Sequence, residues 1–145
     1  MFFLFSCSKK PEYIIDDLWD NFSFNSTVSK STQIVIKCYD TEITNKTVEV
    51  ESFDPSKIMK TSNQKQIDEF DKIFIDAEKT SYCCCPKSSY TIHFFNKQEE
   101  LDLFYVDTLE FKNKVRICES SYQYSYIIKK ENWKNYLFTI MKEKN

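Results

Sequence analysis

Residues 89–108 read SYTIHFFNKQEELDLFYVDT, two alternating runs around a short polar break. Alternation at period two, with aromatic and β-branched residues at every second position, marks half-buried strands. A four-residue loop at Asn96–Glu99 predicts a hairpin that sets Phe94 against Leu101, Ile92 against Leu103 and Tyr90 against Tyr105 on one face. The other face then carries Thr91 across from Phe104, and His93 across from Asp102 as a cross-strand pair.

The same device recurs on both sides. In LEFKNKVRIC (109–118), a loop at Lys112–Lys114 sets Phe111 against Val115 and Leu109 against Ile117. YQYSYII (122–128) puts Tyr122, Tyr124, Tyr126 and Ile128 on one face, and QIVIKCY (33–39) does so with Ile34, Ile36 and Cys38. TEITNKTVEVESF (41–53) reads as two short strands around Asn45-Lys46, and Asp54-Pro55 breaks the second. The chain contains no glycine, so turns that need positive φ fall to Asn or Asp. The Asn-Lys pair stands between strand-like runs three times.

Two stretches carry helical spacing instead. Thr61 and Gln64 fit a capping box, and Ile67, Phe70, Ile73, Phe74 and Ala77 line one side of a middle helix over about 62–78. Trp133, Leu137, Ile140 and Met141 line a C-terminal helix over about 131–143. Ile14, Ile15, Leu18, Trp19 and Phe22 suggest a further short helix after Pro11, and SFNSTVSKST (23–32) reads as a polar loop. The expected fold is α+β: a mostly antiparallel sheet built from hairpins, with the middle and C-terminal helices packed on it. Residues 1–31 form a leader and tether, and 32–145 a single domain.

Composition excludes several functions. The chain has 145 residues and a net charge of −2, which gives no basic footprint for nucleic acid. Arg116 is the only arginine, so a guanidinium fork for phosphate or carboxylate exists there or nowhere. Without glycine there is no dinucleotide fingerprint, P-loop or nucleophile elbow, and no cofactor is expected.

The chain opens MFFLFSCSKKPE. Leu4-Phe5-Ser6-Cys7 resembles the lipobox of bacterial lipoproteins, with Leu three before the cysteine and a small residue just before it. The resemblance covers about ten residues. It implies cleavage before Cys7, a diacylglycerol on the Cys7 thiol, and a domain tethered by lipid to a membrane of the bacterial cell envelope. Lys9, Lys10 and Pro11 would open the tether. Six residues precede Cys7 and none is basic, so a signal peptide of usual length would begin upstream of Met1. No later stretch reaches the ~20 apolar residues that span a bilayer.

Five other cysteines remain: Cys38 and Cys118 on expected strands, and Cys83, Cys84 and Cys85 together in SYCCCPK. Four readings stay open. Export allows disulfides from the cluster to Cys38 or Cys118; the thiols are reduced and buried; Cys83 and Cys85 with Cys38 and Cys118 hold a metal, though the local gap is shorter than zinc usually takes; or the cluster carries a redox or catalytic thiol. His93 opposite Asp102 has the form of an oriented general base, yet no nucleophile is placed near it. Asp-rich stretches such as IDEFDKIFIDAE match the wet face of a helix and lack the glycine of a calcium loop. The tyrosines of 122–126 are either a recognition surface or an ordinary sheet face. The expected function is a small lipid-anchored envelope protein with a non-catalytic binding or protective role, of the immunity or adaptor kind, and with an unidentified protein partner. The alternative is a thiol-based redox or metal-binding protein centred on Cys83–Cys85.

Overall fold

The computed structural model describes residues 23–47, 49–81, 87–121 and 124–142. Its strands are β1 (Gln33–Cys38), β2 (Lys57–Thr61), β3 (Glu78–Ser81), β4 (Tyr90–Asn96), β5 (Glu99–Asp107), β6 (Lys114–Glu119) and β7 (Tyr124–Lys129). They form one sheet in the order β2-β1-β4-β5-β6-β7-β3, and every pairing is antiparallel. The α-helices are α1 (Ser23–Lys30), α2 (Thr41–Lys46), α3 (Gln64–Asp68) and α4 (Lys130–Lys142), with 3-10 turns at Val50–Ser52 and Glu69–Phe74. The fold is α+β, as the alternation predicts.

Two adjacent rows of side chains describe the sheet. Cys38, Tyr90, Val106, Ile117, Tyr126 and Lys79 are successive cross-strand partners from β1 to β3. They point to the inner face, where Ile36, Ile92, Phe94 and Phe104 complete an apolar core with Val28 of α1, Ile67 and Phe70 of the middle helical segment, and Trp133, Tyr136, Leu137 and Ile140 of α4. Phe70 meets Phe74, Phe94 and Tyr136 edge-on, with ring centroids 5.1–5.8 Å apart, the arrangement aromatic quadrupoles favour. One residue along each strand, Lys37, Thr91, Tyr105, Cys118, Ser125 and Thr80 form the outer row.

The central hairpin departs from the expected register. Its turn is the two residues Lys97–Gln98, and Asn96 pairs with Glu99 and Phe95 with Glu100. A β-bulge then shifts the pairing by one, so Phe94 faces Asp102, Ile92 faces Phe104 and His93 faces Leu103. Because side chains alternate, a slip of one residue exchanges the faces of the whole strand. Phe104 and Val106 therefore enter the core, while Leu103 and Tyr105 turn outward beside Cys118. The His93–Asp102 pair does not form: Asp102 instead receives Thr27 Oγ1 at 3.4 Å.

The β5–β6 connection also differs. Val106, not Leu109, faces Ile117, because β5 stops at Asp107. The Asp107 carboxylate accepts Leu109 N at 2.8 Å, Glu110 N at 3.1 Å and Lys87 N at 3.0 Å, a side-chain turn that competes with the ladder. The middle helix is shorter than expected. Asn63 caps it by accepting Lys65 N at 3.0 Å, and it tightens to 3-10 from Glu69. It ends before Asp76, whose φ of 60° turns the chain into β3. The other positive φ among the described non-glycine residues is Lys97 at 56°; neither falls on Asn.

Of the expected loop at 23–32, Ser23–Lys30 is helical, since Val28 is inserted in the core and holds α1 in place. Nor do residues 41–53 form strands. They make α2 and a 3-10 turn within an excursion from Tyr39 to Ser56 that lies over the outer face. Tyr39 N donates to Ser89 O at 2.9 Å, Thr44 Oγ1 to Ser88 O at 3.3 Å, and the Tyr105 hydroxyl to Glu51. The short helix suggested after Pro11 lies outside the described residues.

Candidate functional site

His93, Arg116 and Cys118 stand on the outer face. His93 stands on β4, is 7% exposed, and its ring stacks on Phe95 with centroids 6.4 Å apart. Its Nδ1 lies 2.5 Å from Glu100 Oε1 and its Nε2 2.9 Å from Thr91 Oγ1. An ionised carboxylate only accepts, so Nδ1 carries the proton and donates to Glu100. Nε2 is then the acceptor for the Thr91 hydroxyl, which lies beside the Tyr39 phenol. Burial pushes the His93 pKa below its ordinary value of 6.5; the bond to Glu100 pulls the other way, and burial prevails. Burial likewise raises Tyr39.

The sequence hydroxyl–imidazole–carboxylate resembles a nucleophile relay, but its position argues otherwise. Thr91 has no exposed surface, and it sits two residues from His93 on the same strand, beneath the 39–56 excursion. A nucleophile must meet a substrate atom; this hydroxyl meets Tyr39 and His93. What ties the excursion to the sheet is Tyr39 N on Ser89 O and Thr44 Oγ1 on Ser88 O, just before β4.

Arg116 is equally committed. Its Nε and Nη2 donate to the two Glu110 oxygens at 2.6 and 2.9 Å, and its Nη1 to Ser125 Oγ at 2.7 Å and Thr80 Oγ1 at 3.1 Å. The guanidinium also lies over the Phe111 ring at 5.5 Å. The one fork that sequence offers for phosphate is occupied by this chain's own carboxylate, a bidentate pair that fixes the guanidinium plane.

The cysteines divide between the faces. Cys118 has no exposed surface, packs with Tyr105 on the outer face and is disulfide-bonded. Cys38 is a free thiol on the inner face beside Tyr90, whose pKa is pushed up to about 12 by burial first and the Cys38 thiol second. The partner of Cys118 is therefore not Cys38 and lies outside the described residues, as do Cys7, Cys83, Cys84 and Cys85. Since Cys38 and Cys118 stand on opposite faces of one sheet, they cannot share a four-sulfur metal site, which needs its ligands within ~2.3 Å of one ion. Among the described residues, no group of three or more His, Cys, Asp or Glu side chains is placed to hold a metal, and no helix is long and apolar enough to cross a membrane.

No family model matches this chain. No curated protein and no solved structure matches it either.

Of the tyrosines of 122–126, Tyr126 is fully buried in the core, whereas Tyr124 is 40% exposed under the Lys79 ammonium at 4.6 Å; Tyr122 lies outside the described residues. Sequence reasoning missed Glu100, Tyr39, Glu51 and Glu110 as the partners of the outer face. The bulge hides Glu100, and the others come from segments whose course over the sheet no local pattern reveals.

Proposed function

We propose that the chain is a small lipid-anchored protein of the bacterial cell envelope, tethered through Cys7, with a non-catalytic binding or protective role. The lipobox-like Leu4-Phe5-Ser6-Cys7 motivates the anchor. The observation that carries the compartment is the buried disulfide of Cys118, since such bonds persist in oxidising surroundings and are rare in a reducing cytosol. The non-catalytic reading draws support from the sole histidine and sole arginine, whose polar atoms are taken up by neighbouring side chains.

Acyl labelling in cells tests the anchor, comparing the chain with its native upstream sequence against Cys7→Ser. Label on the parent alone is the expected result. Label on neither chain overturns the anchored reading.

The disulfide of Cys118 also favours a second reading, a thiol-based redox protein centred on Cys83–Cys85. Cys83, Cys84 and Cys85 begin two residues after the end of β3, and Thr80 shares the outer row with Cys118. Peptide mapping under non-reducing conditions decides between them. A single fixed bridge to Cys118 fits a structural staple. Cys118 found in exchange among several cluster thiols, with a measurable midpoint potential in glutathione buffers, fits redox chemistry.

A further inference from the structure

α4 packs its Trp133, Tyr136, Leu137 and Ile140 stripe on the sheet. The opposite side has its own order. Lys134, Phe138, Met141 and Lys142 repeat at i, i+4, i+7 and i+8, the spacing of one helical face, and all four are exposed. Phe138 is 55% exposed, and the Lys142 ammonium lies 4.4 Å from its ring centroid. Lys57 of β2 reaches Met141 from the side, Nζ to Sδ 2.9 Å.

At the start of the same helix a cavity of about 560 Å³ is lined by Lys112, Lys129, Lys130 and Lys134, with Glu131 the only carboxylate on its wall. Lys129 is bound to Asp76 at 2.9 Å, and Lys130 donates to the carbonyls of Thr108 and Phe111, each at 3.2 Å. Lys112 and Lys134 are exposed. In a chain whose net charge is −2, four lysines against one carboxylate at the helix start, and Lys142 over Phe138 farther along it, make a local inversion of sign. Lysines flanking an exposed aromatic suit an anionic bilayer surface: the ring meets the headgroup boundary while the ammonium groups stay with the phosphates.

We infer that the exposed face of α4, Lys134-Phe138-Met141-Lys142 with the lysine-lined cavity at its start, rests on the anionic phospholipid headgroups of the membrane. The inference rests on the anchored reading and deepens it by orienting the domain. α1 lies with α4 in the one helical layer, both packed on the Glu69–Phe74 turn. With that face on the bilayer, the outer face and the 39–56 excursion are turned toward soluble partners.

The test uses the full chain as Cys7→Ser, so that no acyl group contributes, in co-sedimentation with vesicles of phosphatidylcholine alone or mixed with phosphatidylglycerol. Expected is binding to the anionic vesicles only, weakened by salt, and weakened further in Lys134→Gln/Lys142→Gln by roughly fivefold in partition for each lysine removed. Phe138→Ser, checked for folding by near-UV circular dichroism, is expected to weaken it as well. Binding to neither vesicle overturns the inference and leaves the α4 face to an acidic protein partner. Equal binding to both, unchanged in the lysine variant, overturns it too and assigns the adsorption to the Phe2–Phe5 run. Either failure leaves the acyl-labelling result standing, so the anchor and the orientation fail separately.

Discussion

The inner row (Cys38, Tyr90, Val106, Ile117, Tyr126) and the outer row (Lys37, Thr91, Tyr105, Cys118, Ser125) lie one residue apart along the same strands. The first meets helices and is held by apolar burial and edge-on aromatic contacts. The second meets an irregular excursion and is held by hydrogen bonds, a bidentate ion pair and a disulfide. Burial is nearly as complete on both sides, since Thr91, Ser125 and Cys118 have no exposed surface. What differs is the tolerance of each to change. An apolar contact survives a small displacement, whereas a buried polar group left without its partner incurs the full desolvation penalty, about 1–3 kcal/mol.

Neighbouring residues on β6 break the comparison most directly. Ile117→Ala opens a cavity in the core and is expected to destabilise by about 2–5 kcal/mol in urea denaturation, whether or not reductant is present. Cys118→Ala is expected to cost about 2–4 kcal/mol, and reductant should bring the parent chain down to the variant's level without moving the variant. If reductant affects both chains alike, the outer face is not held by that bridge.

Arg116→Met tests the polar half of the outer face. The expected loss is about 1–2 kcal/mol, less than for a fully buried charge because Glu110 is partly solvated. Lys97→Gly has the opposite sign. A lysine held at φ 56° is strained relative to glycine by about 1 kcal/mol, so the variant should raise the urea midpoint modestly; a lowered midpoint would show that the turn draws on the lysine side chain.

The smallest effect is a slope. His93 has its pKa lowered by burial, so the unfolded chain binds a proton more readily. Stability from this group is whole above its ordinary value of 6.5 and declines as pH falls below it. Asp102, raised chiefly by burial, works the other way at lower pH, where its protonation favours the folded state. Urea midpoints across this range should fall less steeply in His93→Gln than in the parent; equal slopes would show that another group dominates.

The inner face was legible in the sequence because period and composition agree there. Ile34, Ile36, Ile92, Phe94, Ile117, Tyr126 and Ile128 stand where alternation puts them, and α4 falls within a residue of its expected bounds. The register of β5 was not legible. Leu101, Leu103 and Tyr105 alternate as well as Phe104 and Val106 do, and the bulge that chooses between them is set by tertiary packing. α2 was hidden by its β-branched residues, which local propensity assigns to strands. The outer site was therefore read with the wrong carboxylate: His93 and its orientation by an acid were anticipated, but the acid is Glu100, on the hairpin side of the bulge. The lysine face of α4 was passed over because its members come from the β5–β6 loop, β7 and the helix, and only the fold assembles them.

The order of the strands also governs when the sheet can be completed. Among the described strands β3 forms one edge, paired there with β7 alone; Thr80 meets Ser125 across 45 residues of chain. During synthesis β3 emerges with its backbone donors and acceptors unmatched, and stays so until almost the whole protein has been made. Such a non-local closure is slow and leaves an edge open to wrong partners meanwhile.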